Sequence, residues 1–304
     1  MIHRIKTVLR KIAFLRKTVL ILSRSIKRIN QKSHMWVYIK WLKEKIGLEI
    51  GGPSSIFNDD GILPIYSVVK RLDGCNFSEN TVWEGHIQSG ETYRYHCGRK
   101  NGHQFICDAV NLKMIQDESY DFVLASHVIE HIANPIKALL EWRRVLKEGG
   151  VLLLVVPHKD GTFDHNRQAT TLQHLIHDFE NDVKEDDLTH IEEILQLHDL
   201  SMDPAAGTPD EFKKRSMNNF NNRCLHHHVF DTMFAIEILN YCQFKILNLK
   251  TILPFHIIIL GEKTKLQRKE TVDNSLFLAM NAKWRKYSPF ASDRECRLFK
   301  PKSY

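Results

Sequence analysis

The chain has 304 residues, of which 43% are hydrophobic and 26% are charged, and its formal net charge is +7. This composition suits one large folded domain with extensions and excludes an intrinsically disordered chain. No apolar run reaches the roughly 18 to 20 residues of a membrane-spanning helix, and the six cysteines form no C-x-x-C pair, which excludes a zinc ribbon and a disulfide framework. With no signal peptide pattern at the N-terminus, we expect a cytoplasmic protein.

The first 45 residues are predicted to form a basic helical arm. Residues 1–32 contain ten Lys or Arg and no acid, and their apolar residues recur at alternating steps of three and four. This pattern predicts an amphipathic helix that binds an anionic membrane surface, at the inner face of the membrane. A coiled coil and a helix packed on its own domain remain alternatives. Nucleic acid is a weaker partner, because the arm lacks interleaved aromatic residues.

A glycine turn follows the first predicted strand. Residues 46–55 read Ile-Gly-Leu-Glu-Ile-Gly-Gly-Pro-Ser-Ser, so that Glu49 precedes Gly51, Gly52 and Pro53. Two glycines let the backbone approach a ligand without a Cβ in the way. The G-x-G-x-x-G spacing of dinucleotide-binding loops is absent. The stretch therefore predicts a nucleotide-type cofactor loop of another kind.

A second stretch, residues 120–157, reads as strand, helix and strand. It begins Tyr-Asp-Phe-Val-Leu-Ala-Ser-His-Val-Ile-Glu-His-Ile, continues through Arg-Val-Leu-Lys-Glu-Gly-Gly and ends Val-Leu-Leu-Leu-Val-Val-Pro. Two short apolar runs flank a segment of helical period, and we expect Gly149 and Gly150 to cap the helix. A strand, crossover helix and strand predict a parallel sheet.

These two stretches resemble the class I S-adenosylmethionine (SAM)-dependent methyltransferases, and the second is similar to the type 11 methyltransferase family. The resemblance covers residues 46–261 and implies a Rossmann-like α/β fold. Its sheet would be mostly parallel and seven-stranded, with helices on both faces, and would end in an antiparallel hairpin at residues 244–249 and 256–260. It also implies SAM as the cofactor and an enzyme that transfers methyl groups.

The resemblance and the fold assign cofactor-binding roles to several residues. Glu49 would act on the loop or on the cofactor's amino group, and Asp108 and Ala109 would bind the adenine. Ser126 and His127 would lie beside the methionine part. The second strand is predicted at residues 68–72, and Asp73, 22 positions after Gly51, comes near its end, where nucleotide-binding α/β folds place an acid on the ribose hydroxyls. The cofactor-binding prediction thus comprises Glu49, Gly51, Gly52, Pro53, Asp73, Asp108, Ala109, Ser126 and His127.

The catalytic base is expected near the start of a helical insertion, residues 158–228. This insertion holds nine of the 17 histidines and carries more acids than bases. We predict His158 or His165 as the base, oriented by Asp160 or Asp164, because histidine titrates near neutral pH. His131 is either catalytic or a hydrogen-bonded core residue.

We predict no metal site, although acids and histidines of the insertion are ligand types that could converge. These are Asp160, Asp164, His165, Asp186, Asp187 and His190. The run His226-His227-His228 cannot aim all three rings at one ion from a regular strand or helix.

The sequence therefore predicts a methyltransferase domain at residues 46–261 and a basic C-terminal extension at residues 262–304. The expected reaction is methyl transfer from SAM to an acceptor hydroxyl on a glycan or lipid-linked sugar. Two other functions remain open. One is a non-catalytic binding or scaffold module with this fold. The other is a nicotinamide-dependent sugar-modifying enzyme, against which the missing G-x-G-x-x-G and Tyr-x-x-x-Lys motifs count.

Overall fold

The computed structural model describes residues 36–265 and 270–295 of the chain. The basic arm predicted at residues 1–32 lies outside these ranges. The first described element is helix α1 at residues 36–42, in which Tyr38 and Leu42 are fully buried. None of the described helices is long and apolar enough to cross a membrane.

One sheet of eight strands forms the centre of the fold. The strands are β1 Ile46–Ile50, β2 Arg71–Asn76, β5 Gly90–Tyr93, β6 Gly102–Ile106, β7 Tyr120–Ser126, β8 Leu146–Pro157, β9 Phe244–Ile252 and β10 His256–Lys263. Their order across the sheet is β5-β6-β2-β1-β7-β8-β10-β9. The five strands from β6 to β8 run parallel, whereas β5, β10 and β9 pair antiparallel with their neighbours. A small separate pair is formed by β3 Asn80–Thr81 and β4 Gly85–His86.

Helices and loops cover both faces of the sheet. The described helices after α1 are α2 Pro135–Val145, α3 Leu172–Glu180, α4 Ile191–Leu197, α5 Pro209–Met217, α6 Asn219–Asn222, α7 Thr232–Tyr241, α8 Ser275–Leu278, α9 Lys283–Tyr287 and α10 Ala291–Arg294. Short 3₁₀ turns lie at Ser55–Phe57, Ile129–His131, Lys159–Gly161, Leu200–Met202 and Pro204–Ala206. The predicted Rossmann-like fold is confirmed, with the insertion as α3 to α6.

The central strands are apolar because both of their faces are covered. Residues 122–125 of β7 and 151–156 of β8 are almost completely inaccessible to solvent. On one face they pack against a cluster that includes Trp142 of α2 and Phe234 of α7. On the other face they pack against a cluster that includes Tyr66 and Tyr93. Such continuous burial is typical of parallel sheets and explains the unbroken apolar runs in the sequence.

Three sequence predictions require correction. The sheet has eight strands rather than seven, because part of the polar loop at residues 84–102 adds β5 to its edge. Strand β2 extends to Asn76 instead of ending near Leu72. Helix α2 ends at Val145, so Gly149 and Gly150 do not cap it. They lie in β8 at an irregularity in its pairing with β7, between the pair Tyr120–Leu146 and the pair Phe122–Val151.

The described part of the C-terminal extension packs on the domain. Asp293 accepts hydrogen bonds from the hydroxyls of Thr232 and Ser288, both at 2.6 Å, and Nε2 of His158 lies 3.2 Å from its carboxylate. The ring of His158 also stacks on Phe290, with 3.9 Å between centroids. Residues 288–293 therefore cover the start of the insertion.

Candidate active site

A cavity of about 920 Å³ lies where β1, β2, β6 and β7 end. Loops from the insertion close its other side. In open α/β sheets ligands bind at the carboxyl ends of the strands. The volume is at the upper end of the range for small-molecule sites, so it accommodates a cofactor together with an acceptor.

The glycine loop forms one wall of the cavity and is held from beneath by Glu49. Gly51 has φ of +74°, and a Cβ there would lie 2.6 Å from Cγ2 of Val128. At Gly52 a Cβ would lie 2.3 Å from the carboxyl carbon of Glu49. Both positions therefore require glycine. Gly51 and Pro53 line the cavity, whereas Gly52 lies behind them.

Glu49 forms a hydrogen bond to the glycine loop and does not line the cavity. Its carboxylate accepts hydrogen bonds from the hydroxyls of Tyr66 and Tyr93, at 2.7 to 2.9 Å, and from the backbone N–H of Ser54 at 3.0 Å. Burial raises the pKa of Glu49 to about 7, although these hydrogen bonds oppose the rise. Of its two predicted roles, the structure supports the one on the loop.

Asp73 is not positioned to bind the ribose. It lies in the middle of β2, and its carboxylate accepts from Nε of Arg71, the N–H of His103 and the hydroxyl of Tyr120, at 2.8 to 2.9 Å. A strand at residues 68–72 would put Asp73 at its end, whereas β2 begins at Arg71 and continues past Asp73 to Asn76. The residue at the end of β2 that lines the cavity is Asn76.

The amide of Asn76 forms hydrogen bonds through both its nitrogen and its oxygen at this edge of the cavity. It donates to the carbonyl of Gly52 at 3.0 Å and accepts from Nε1 of Trp83 at 3.1 Å. The nearby loop brings Glu84 to the cavity wall as well, and burial raises its pKa. Glu84 thus supplies a carboxylate that sequence spacing did not indicate.

Asp108 and Ala109 line the cavity after β6, as predicted for adenine-binding residues. Oδ1 of Asp108 accepts the N–H of Val110 at 3.1 Å, and Oδ2 accepts from Arg223 at 3.1 Å. Arg223 also pairs with buried Glu185 at 2.7 Å. An arginine of the insertion, 115 residues away in sequence, therefore closes this end of the cavity.

Ser126 and His127 line the cavity at the end of β7, as predicted for the methionine side. His127 has φ of +54°, and its Nε2 lies 3.1 Å from Nδ1 of His256. Glu130 lies behind these rings, and neither of its oxygens forms a hydrogen bond within the described residues. Burial opposes its ionisation, but His127 and His131 hold its pKa below the usual value.

The predicted bases His158 and His165 lie outside the cavity. His158 is fully buried against Phe290 and Asp293. His165 pairs at the surface with Asp199 at 3.0 Å, and Asp160 accepts the N–H of Ser292. The chain turns away from the cavity directly after β8, which the sequence did not reveal. These three residues are therefore not placed to act on a bound acceptor.

His226 of the insertion and His131 of the turn after β7 meet at the cavity wall, with 4.6 Å between their ring centroids. Nδ1 of His226 lies 2.5 Å from Oδ2 of Asp164, and the other carboxylate oxygen, Oδ1, accepts from Nη1 of Arg167 at 3.0 Å. Burial opposes protonation of His226, but Asp164 raises its pKa above the ordinary value. Burial, followed by the charge of His226, lowers the pKa of His131 to about 4.

The side chains of His226, His227 and His228 lie in three different environments. His226 bonds to Asp164, His227 lies 2.9 Å from Nδ2 of Asn219, and His228 faces the carbonyl of Ala133 at 3.1 Å. The three rings therefore do not converge on one point. The sequence gave no sign that His226 reaches the cavity, because its partner, Asp164, is 62 positions away.

Residues 70–154 match the family profile described as "Methyltransferase domain". The chain contains a methyltransferase domain. The predicted recognition is confirmed at this level, and with it the prediction of a domain that uses SAM as its cofactor.

Among curated proteins, an uncharacterized protein of Methanocaldococcus jannaschii is 44% identical over 55 residues, which are 18% of this chain. The match spans 24% of the length of that relative.

Solved structures of methyltransferases are also similar. A SAM-dependent methyltransferase from Aquifex aeolicus is 12% identical, with a TM-score of 0.42 over 76% of this chain and 89% of that one. The Burkholderia thailandensis 1,6-didemethyltoxoflavin-N1-methyltransferase, solved with S-adenosylhomocysteine bound, is 10% identical, with a TM-score of 0.43 over 78% of this chain and 77% of that one.

Proposed function

We propose that this protein transfers the methyl group of SAM to a hydroxyl of a glycan or a lipid-linked sugar. The observation that carries the proposal is His226, which lines the same cavity as the cofactor loop and pairs with the buried carboxylate of Asp164. Methyl transfer to oxygen requires alignment of the two reactants and a base that accepts the hydroxyl proton. The cavity contains groups suited to both tasks.

The residues at the strand ends fit SAM. Gly51 has no side chain, so the backbone at this wall of the cavity is open to the cofactor. A Cβ at this position would also collide with Val128. Asp108 would accept from the adenine amino group, and Ser126 and His127 would contact the methionine part. We assign the ribose hydroxyls to Glu84, in place of Asp73. When bound, SAM supplies a methyl group on a positively charged sulfur.

His226 is the base that the geometry favours. Asp164 engages Nδ1, so Nε2 is the ring nitrogen left for the acceptor hydroxyl. Asp164 fixes this tautomer and stabilises the imidazolium that forms when His226 takes the proton. The hydroxyl oxygen gains the methyl carbon while the bond from that carbon to sulfur breaks. His131 is a weaker candidate, because its lowered pKa makes it a poor base at neutral pH.

The residues that the insertion contributes to the cavity wall support the proposal that the acceptor is a sugar. Asp203 and Arg215 line it as a pair with 2.8 Å between Nη2 and Oδ2. Such charged groups form hydrogen bonds with hydroxyls. The rings of Phe163, in the insertion, and Phe255, between β9 and β10, also line the cavity and offer apolar faces to a sugar. A polar wall with aromatic faces suits a hydroxylated ring better than it suits a quinone.

The proposal includes lipid-linked sugars because the basic arm at residues 1–32 is predicted to bind an anionic membrane surface. That membrane binding stays a prediction. Deletion of these residues should abolish sedimentation with anionic liposomes while SAM binding persists. Equal sedimentation of the full and shortened chains would contradict the peripheral membrane role.

The test of the function is a transfer assay with radiolabelled SAM and a panel of glycans, lipid-linked sugars, quinones and proteins. Label in a glycan or lipid-linked sugar, lost in His226→Gln, is the expected result. Label in quinones or proteins alone would contradict the acceptor class. SAM binding without transfer to any acceptor would instead favour the non-catalytic binding module.

A further inference from the structure

A second group of histidines lies in the insertion, outside the cavity. His174 belongs to α3, His190 precedes the first residue of α4, and His228 lies in the segment before α7. One ring nitrogen from each lies within 4.8 Å of the others. None of the three lines the cavity, so the transfer reaction makes no use of them.

The distances suit direct coordination of one ion. Nε2 of His174 and Nε2 of His190 are 3.0 Å apart, and Oδ2 of Asp178 lies 3.2 Å from the same nitrogen of His174. Bonds of about 2.0 to 2.1 Å in tetrahedral geometry place ligand atoms about 3.3 Å apart. Asp178 is one helical turn from His174 on α3, which puts the two side chains on one face.

Two buried polar atoms in this group have no hydrogen-bond partner among the described residues. His228 is 1% exposed, and its Nε2 faces the carbonyl of Ala133, which leaves the lone pair on Nδ1. That Nδ1 forms no hydrogen bond. Oδ2 of Asp178, whose side chain is 8% exposed, forms none either; its neighbours are Nε2 of His174 at 3.2 Å and Nε2 of His228 at 3.9 Å. An unsatisfied buried polar atom costs about 1 to 3 kcal/mol.

A metal ion would satisfy both atoms at once. Histidine ligands of metals generally donate their other ring N–H to a carbonyl or carboxylate, as His228 does to Ala133. We propose that His174, His190, His228 and Asp178 bind one divalent transition metal ion, with Zn²⁺ as the best match. Three imidazoles and a carboxylate give the closed four-ligand set of a structural zinc site.

Such an ion would connect three parts of the insertion. It would tie α3 to the start of α4 and to the segment before α7, and His226 is only two residues from His228. The metal would therefore hold the insertion in the arrangement that brings His226 to the cavity. It would not touch the cofactor or the acceptor.

A competing position exists at the cavity wall. Ligand atoms of Glu130, His131 and His226 also lie within 4.8 Å of one another. There, however, Nε2 of His226 is the atom that the proposed function assigns to the acceptor proton, and a metal bound to it would block that role. The metal is therefore assigned to the insertion group, an assignment that rests on the proposed function, and the loading of His226→Gln separates the two positions.

The test uses the untagged full-length protein, stripped with a chelator and reloaded with Zn²⁺ or Co²⁺. We expect one metal ion per chain, and for Co²⁺ the intense visible absorption of tetrahedral coordination. His174→Gln and His190→Gln should lose the metal. His177→Gln, on the exposed side of the same helix, should keep it.

Absence of bound metal in the reloaded wild-type protein would overturn the proposal, whatever the variants do. So would full loading of both His174→Gln and His190→Gln. Loss of the metal in His226→Gln with retention in His174→Gln would place the ion at the cavity wall and also contradict it. Because the Co²⁺ spectrum is recorded on wild-type protein, the test holds even where a variant fails to fold.

Discussion

The buried carboxyl of Glu49 makes the stability of this protein depend on pH. Its pKa is raised to about 7 in the folded protein, against an ordinary value of 4.5. Between these values the folded protein holds a proton that the unfolded chain releases, so stability falls as pH rises. Because one pKa unit corresponds to about 1.36 kcal/mol, the loss between pH 5 and pH 8 comes to about 2.5 kcal/mol.

Glu49→Gln removes this titration and retains a carbonyl oxygen that can accept the N–H of Ser54. Relative to wild type, the free energy of unfolding of the variant should therefore increase by about 2.5 kcal/mol from pH 5 to pH 8. Urea unfolding followed by circular dichroism at several pH values measures this difference. Burial also raises the pKa of Glu185 to about 7, but that residue is present in both proteins and cancels.

Glu79→Gln, at an exposed position, is the matched control and should follow wild type at every pH. If Glu49→Gln and wild type show parallel pH dependence, the carboxyl is not buried as described. The arrangement of the cofactor loop over Glu49 would then be wrong.

We also predict the effects of amino-acid substitutions at the site. His226→Gln should lower kcat by about 10²- to 10⁴-fold through loss of the base, with SAM affinity unchanged, whereas His165→Gln at the surface should leave kcat within about twofold. Because His226 must be neutral to accept a proton and its pKa is raised, the acid limb of the kcat profile should lie above the ordinary histidine value; a limb near pH 4 would point to another base. Gly51→Ala should weaken SAM binding by about tenfold or more, since its Cβ has no room, as calorimetry would show. Glu84→Gln should weaken SAM binding and Asp73→Asn should not; the reverse in calorimetry would restore the ribose role predicted from spacing.

Much of the fold could be predicted because its signals are local. The apolar run of β7, that of β8 and the glycine loop after β1 are each a single continuous stretch of the sequence. The sequence indicated cavity-lining positions where a residue lies at the end of a strand or shortly after it, as Ser126 and Asp108 do, and their contacts with the cofactor stay predictions. Asp73 was misplaced because the apolar pattern did not show that β2 continues to Asn76.

The acceptor side could not be predicted because its contacts are long-range. The pair His226–Asp164 joins residues 62 positions apart, and Arg223 reaches Asp108 across 115 positions. His158 follows β8 directly, but it turns into a buried contact with Asp293, 135 residues later. The pattern of one sequence does not show which distant residues pair with each other.

Titration of SAM into the purified protein by calorimetry tests the central claim most directly. We expect micromolar affinity, about −7 to −8 kcal/mol, for wild type and for the exposed control Asp117→Asn. Asp108→Ala should lose at least about 1.4 kcal/mol, a tenfold weakening, through the missing adenine contact. Absence of binding by the folded wild-type protein, or equal binding by Asp108→Ala, would contradict the cofactor site described above.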